Sequence, residues 1–146
     1  MSESNDVSPA EDETARAQQD GIRRELLTSG LYDWVPLIEV MQVTKRYDAS
    51  ATAEAVQELA LRTIRSLVAD GLMLIGDLPY PGEKFRGWDL ALDAAMERVR
   101  GLLVGHYAEP DRWEFIVWMG LTPAGEQLAR DLEDQRQNDQ VNGWGG

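Results

Sequence analysis

Ala53, Val56, Ala60, Ile64, Leu67 and Val68 follow i, i+3, i+4 spacing, the stripe of an amphipathic helix. The spacing predicts a helix that ends at Asp70, and Ser50 or Thr52 can cap its start. Gly71 follows at the position where a helix stops in a left-handed residue, which glycine adopts without a Cβ penalty. Glu58, Arg62, Arg65 and Ser66 lie opposite the apolar stripe. Ile22, Leu26 and Leu27 mark an earlier helix over Glu13–Ser29, stopped by Gly30. Gly21 inside it costs about 1 kcal/mol of propensity. Leu37, Ile38, Val40, Met41 and Val43 predict a second helix to about Tyr47. Asp33 can cap that helix and Pro36 fits its first turn; alternatively, Trp34 and Val35 form a very short strand. Leu92, Met96, Val99 and Leu103 predict a helix over Leu90–Tyr107, capped by Asp89. Thr122 followed by Pro123 is a start signal for a last helix, docked by Leu121, Leu128 and Leu132.

Two stretches break the helical period. LMLIGDL, bounded by Gly71 and Pro79, and WEFIVWM, with its β-branched and aromatic residues, predict strands. Between them lie the Pro/Gly-rich loop PYPGEKFRG, the Leu90–Tyr107 helix and the turn AEPD.

The order LRTIRSLVADGLMLIGDL, then FIVWMGLTPAGEQLARDL, resembles the second half of a winged-helix domain. The resemblance covers about Asp33–Leu132 and implies a recognition helix, two wing strands and a Thr-capped closing helix. DWVPL…LRTIRSLVADGLMLIGDL…GWDL is also similar to small actinobacterial proteins of unassigned function. The expected fold class is mainly α (α+β): a winged-helix-like domain with a small antiparallel β-hairpin whose wing carries an inserted helix. Residues 1–12 are expected to be a disordered acidic tail. Residues 13–136 are expected to form the single domain, with an insert at about 79–112, and 137–146 a flexible C-terminal tail. Ordinary wings are short hairpins, so the inserted helix must bury its apolar stripe beside the wing or across the sheet.

Charge complicates what the resemblance implies. Winged helices mostly bind DNA, but this chain carries net charge -12. Most of that charge lies in residues 1–20 and 131–146, which leaves the middle of the chain only mildly acidic. By analogy with the family, DNA would be met by Lys45 and Arg46, by Arg62 and Arg65 on the recognition helix, and by Lys84 and Arg86 in the wing. Arg62 and Arg65 are three apart and share a face, as bidentate guanine or phosphate contact requires. The same two arginines fit a solvated face on which they pair with Glu58 and neighbouring acids, and the acidic balance favours that reading. Tyr80, Phe85 and Trp88 are aromatic residues in a Pro/Gly loop, a composition suited to anchoring a protein partner. The competing expectation is that Phe85 and Trp88 staple the inserted helix to the core. Trp34 and Trp118 are expected in the core.

Chemistry-bearing groups are sparse. With 43% hydrophobic residues the chain can form a core, and with no cysteine it has neither disulfides nor thiolate metal sites. His106 is the only histidine, so no catalytic triad or histidine metal cluster can be assembled from the chain. No phosphate-cradling glycine loop is present. No catalytic, cofactor-binding or metal residues are therefore assigned. The N-terminal segment has no apolar stretch of signal-peptide type and LMLI is far too short to span a bilayer, so a cytoplasmic protein with no membrane partner is expected. The leading expectation is a non-enzymatic protein-interaction or regulatory module, such as an acidic inhibitor or immunity-type protein that binds a basic partner. The alternative is a winged-helix transcriptional regulator using the third helix and the wing. A homodimer through the inserted helix is a further partner expectation.

Overall fold

The computed structural model of the chain describes residues 9–49, 52–78 and 84–145. Among them the order is α1 (Pro9–Gly30), β1 (Val35–Pro36), α2 (Leu37–Tyr47), α3 (Ala53–Ala69), β2 (Met73–Asp77), β3 (Arg86–Gly87), α4 (Leu92–Leu103), a 3-10 turn at Pro110–Arg112, β4 (Trp118–Leu121) and α5 (Pro123–Gly145). The class is mainly α, α+β, with 65% helix and one antiparallel four-stranded sheet among the described residues.

The expected ends of α3 and α5 form through the chemistry their sequences carry. Thr52 accepts the Ala55 amide at the start of α3 (3.1 Å). Gly71 adopts φ +74°, and Leu72 N–H donates back to Leu67 C=O (3.0 Å), closing the helix end. Thr122 accepts the Gly125 amide (3.0 Å) and donates its own hydroxyl proton to Gly71 C=O (2.6 Å). The cap of α5 is therefore tied to the end of α3. Ser50, the other cap candidate for α3, lies outside the described residues.

The sheet order is β1-β4-β2-β3. The two expected strands pair in register, with Met73 opposite Leu121 and Ile75 opposite Met119. β1 flanks β4, with Val35 opposite Met119, so the short-strand alternative holds, one residue later than expected. Asp33 does not cap α2; its Oδ1 accepts the Trp34 amide instead (2.7 Å). β3 adds an edge strand beyond β2, with Gly76 opposite Gly87. The helix-bearing insert thus begins with a short hairpin, and α4 follows it.

Four other boundaries differ from expectation. α1 starts at Pro9, within the segment expected to be a disordered tail. α5 continues to Gly145, across the expected C-terminal tail. No proline interrupts that stretch, and its first glycine after Gly125 is Gly143. A polar helix of this kind has no apolar stripe by which to recognise it. α4 is shorter than predicted: Ala91 stands at its N-cap with no side-chain bond, and Asp89 lies outside the helix, two residues before that cap. Finally, the strand expected from Trp113 begins only at Trp118. Residues 113–117 turn instead, and the carbonyls of Glu114 and Val117 serve α2. Leu37 N–H donates to Val117 C=O (2.9 Å) and Ile38 N–H to Glu114 C=O (3.2 Å), which satisfies amides that a helix N-terminus leaves unpaired.

The core lies between the helices and one face of the sheet. Ile22 and Leu26 of α1, Leu37, Val40 and Met41 of α2, and Ile64 and Leu67 of α3 are buried there with Val35, Met73, Ile75 and Met119. Gly21 is a packing residue: a Cβ there would meet the Tyr47 ring at 2.4 Å. α4 packs along α3 and buries Ala95, Met96, Val99 and Leu103. At about 1.5–3 kcal/mol for each large apolar side chain, that burial makes α4 a fixed part of the domain.

A candidate protein-binding face

Strand alternation sorts the sheet residues. Val35, Met73, Ile75 and Met119 point inward, and their neighbours point away from the helices. On the outer face, Leu74 stands opposite Gly120 and Trp118 opposite Gly76. Gly120 is the floor on which two aromatic rings meet. A Cβ there would lie 3.2 Å from Trp34 and 3.2 Å from Phe85. Those two rings stack with centroids 6.5 Å apart and planes 14° apart. Trp118 continues the surface and tilts against Phe115 at 6.0 Å. Leu74 is 47% exposed, Phe115 61% and Trp34 38%. The expectation that Trp34 belongs to the core is therefore corrected: it precedes β1 on the outer side of the sheet, where no helix among the described residues covers it. Trp118 is partly buried on the same side.

The three aromatic residues singled out from the Pro/Gly loop have different surroundings. Phe85 joins the outer face. Trp88 is half-buried; its Nε1–H donates to Asp77 Oδ1 (3.0 Å), and the Arg98 guanidinium of α4 sits 4.1 Å from its ring centroid. Trp88 thus links α4 to the sheet. Tyr80 lies outside the described residues. Sequence reasoning did not single out Trp34 and Leu74 for this face; their period-2 relation to buried neighbours was the available signal.

Two of the basic residues considered for DNA contact are held in ion pairs. Arg65 pairs with Asp93 of α4, and Arg46 pairs with Glu25 of α1. Glu58 takes both guanidinium nitrogens of Arg100 (2.6 and 2.9 Å), clamping α3 to α4. Arg62 is exposed beside Glu58 and shares a cleft with Arg65, Asp93, Glu97 and Arg100. Lys45, Lys84 and Arg86 are exposed, with no ion pair among the described residues. α4 therefore sets acids beside the arginines of α3.

His106 Nδ1 lies 3.2 Å from Glu109 Oε2 and has no other charged partner among the described residues. Among those residues no group of three or more His, Asp or Glu side chains could hold a metal ion, and no helix is long and apolar enough to cross a membrane. No protein-family model, curated protein or solved structure matches the chain.

The Glu58–Arg100 clamp has a pH signature. The Arg100 hydrogen bonds, helped by the charges of Arg100 and Arg62 and opposed by desolvation, hold the Glu58 carboxyl below its ordinary range. A carboxyl depressed in the folded state stabilises the fold above its unfolded pKa, and that contribution is lost as pH falls through the folded value. Both side chains are substantially exposed, so the contribution is about 0.5 kcal/mol. Glu58→Gln is expected to melt below the parent chain at pH 7 and to match it at pH 3. An equal gap at both pH values in thermal melts would remove the clamp as its cause.

Proposed function

We propose that the chain is a non-enzymatic protein-interaction module on a winged-helix scaffold, and that it binds a basic partner as an inhibitor or immunity-type protein would. The observation that carries this reading is the outer sheet face, where Trp34, Leu74, Phe85 and Trp118 cluster with no helix of the described residues over them. Aromatic residues contribute disproportionately to protein interfaces because they bury large area at low entropic cost. The net charge of -12 adds long-range attraction for a basic partner. The scaffold assignment draws support from the short β1, which pairs with the returning strand β4, and from the Thr-capped helix that closes the chain.

The rival reading, a DNA-binding regulator, rests on the exposed Lys45, Arg62, Lys84 and Arg86. Against it stand Asp93 and Glu97, which α4 holds next to Arg62 and Arg65. Acids at that position oppose the phosphate contacts that supply most non-specific affinity.

Leu74→Asp separates the two readings. A charge in the middle of the outer face is expected to weaken partner binding on the order of thirtyfold, with the fold intact because Leu74 already faces solvent. Co-purification followed by mass spectrometry is the measurement, with parent and variant handled side by side. Recovery of the parent chain alone, or of the same partner with both chains, would sink the proposal. A low-salt mobility shift with genomic fragments, abolished by Arg62→Ala with Arg65→Ala, would install the rival.

A further inference from the structure

The turn between α1 and β1 opens a cleft of about 420 Å³ next to the aromatic face. Its floor is Leu121, which packs so closely on Gly30 that a Cβ there would meet it at 2.9 Å. Tyr32, 75% exposed, and Trp34, shared with the outer sheet face, form its aromatic walls. Asp33 and Glu126 line it, and no basic residue does.

Each of those carboxylates is committed through one oxygen only, among the described contacts. Asp33 Oδ1 accepts the Trp34 amide, which leaves Oδ2. Glu126 Oε2 takes both bonds from Arg130, which leaves Oε1. Outside the cleft mouth, Glu133 accepts the Tyr32 hydroxyl (3.1 Å); that bond, with the Glu133 charge and against that of Arg136, raises the Tyr32 pKa. Apolar floor, ring faces and half-used carboxylates together suit a flat cation. A guanidinium can stack on an aromatic face while its edge donates to carboxylate oxygens, and an ammonium lacks that planar fork.

We propose that this cleft receives an arginine side chain from a basic partner segment whose neighbouring apolar residue lies on the Leu74–Phe85 face. The inference rests on the protein-binding reading and specifies the chemistry of the partner. Charge complementarity selects the occupant. A second copy would bring another net charge of -12 to a site already lined by acids, whereas a basic segment is drawn to it.

The test uses acetylated hexa-arginine and hexa-lysine amides as probes, titrated into the full chain and followed by backbone amide and Trp indole resonances. Hexa-arginine is expected to shift the Trp34 indole and the amides of residues 31–34 and 126, and to bind more tightly than hexa-lysine. Asp33→Asn with Glu126→Gln is expected to weaken hexa-arginine about tenfold. Asparagine keeps the acceptor for the Trp34 amide, so the turn is retained. Asp131→Asn with Asp134→Asn removes the same formal charge from α5 and is expected to change affinity less than about twofold, because exposed distant charges are screened. Equal weakening by the two double variants, equal affinity for the two peptides, or shifts confined to other residues would each overturn the assignment. If any of these occurs while Leu74→Asp still releases a partner, the cleft assignment falls and the protein-binding reading stands.

Discussion

Gly125→Ala lowers the stability of the domain by about 3 kcal/mol and its melting temperature by about 10 °C. The added methyl group would lie 1.9 Å from the Leu72 carbonyl oxygen and 3.3 Å from Leu121. The near atom is backbone, so no rotamer change relieves the clash. Nor can α5 slide away cheaply. Thr122 N–H donates to the same Leu72 carbonyl (3.1 Å), and Thr122 Oγ1 donates to Gly71 C=O. Moving the helix to admit a methyl group breaks the bonds that tie it to the end of α3. Chemical denaturation of parent and variant is the measurement, and a loss under about 1 kcal/mol would show that the first turn of α5 is free to shift.

Val99→Asp has the larger consequence for mechanism. Val99 is fully buried where α4 meets α3, and no basic group among the described contacts is placed to pair with a new carboxylate there. An unpaired charge in that position costs on the order of 4 kcal/mol. The prediction is a single cooperative transition at much lower denaturant concentration, because α4 shares its core with α3. The alternative outcome is a two-step transition in which α4 detaches and the rest stays folded. That would make α4 a removable cover over Arg62 and Arg65, and the DNA-binding reading would gain what it now lacks. Circular dichroism and tryptophan fluorescence followed in parallel distinguish the two, since Trp88 reports on α4 through Arg98.

Local chemistry decided which parts of this fold were legible in the sequence. The stripe Val56–Ala60–Ile64–Leu67, the left-handed stop at Gly71 and the Thr122 cap each involve residues a few positions apart, and each is found as expected. Residues 113–117 misled because composition reports side-chain preference, whereas the Glu114 and Val117 carbonyls are taken by the first turn of α2. β3 was hidden in a loop rich in proline and glycine, where two extended residues suffice to add an edge. The outer face was legible only in its single strands, by period 2, and not as an assembled patch. Trp34 and Phe85 are far apart in the chain, and only the pairing of β1, β4 and β2 places both over Gly120. Arg65 and Glu58 were read as residues of one solvated helix face; their partners Asp93 and Arg100 come from α4, whose position no local pattern fixed.

The strand that holds the sheet together is the last one made. β4 lies between β1 and β2, so β1 has no neighbour, and β2 only the two-residue β3, until residues 118–121 have left the ribosome. A nascent chain that has exposed α1, α2 and α3 therefore carries two unmated strand edges while α4 is still being translated. Such edges are where growing chains pair wrongly with one another. Both edges are short, two residues at β1 and five at β2. Brevity limits that exposure during synthesis, and it leaves the finished sheet dependent on the Thr122 clasp that follows within one residue of the strand that completes it.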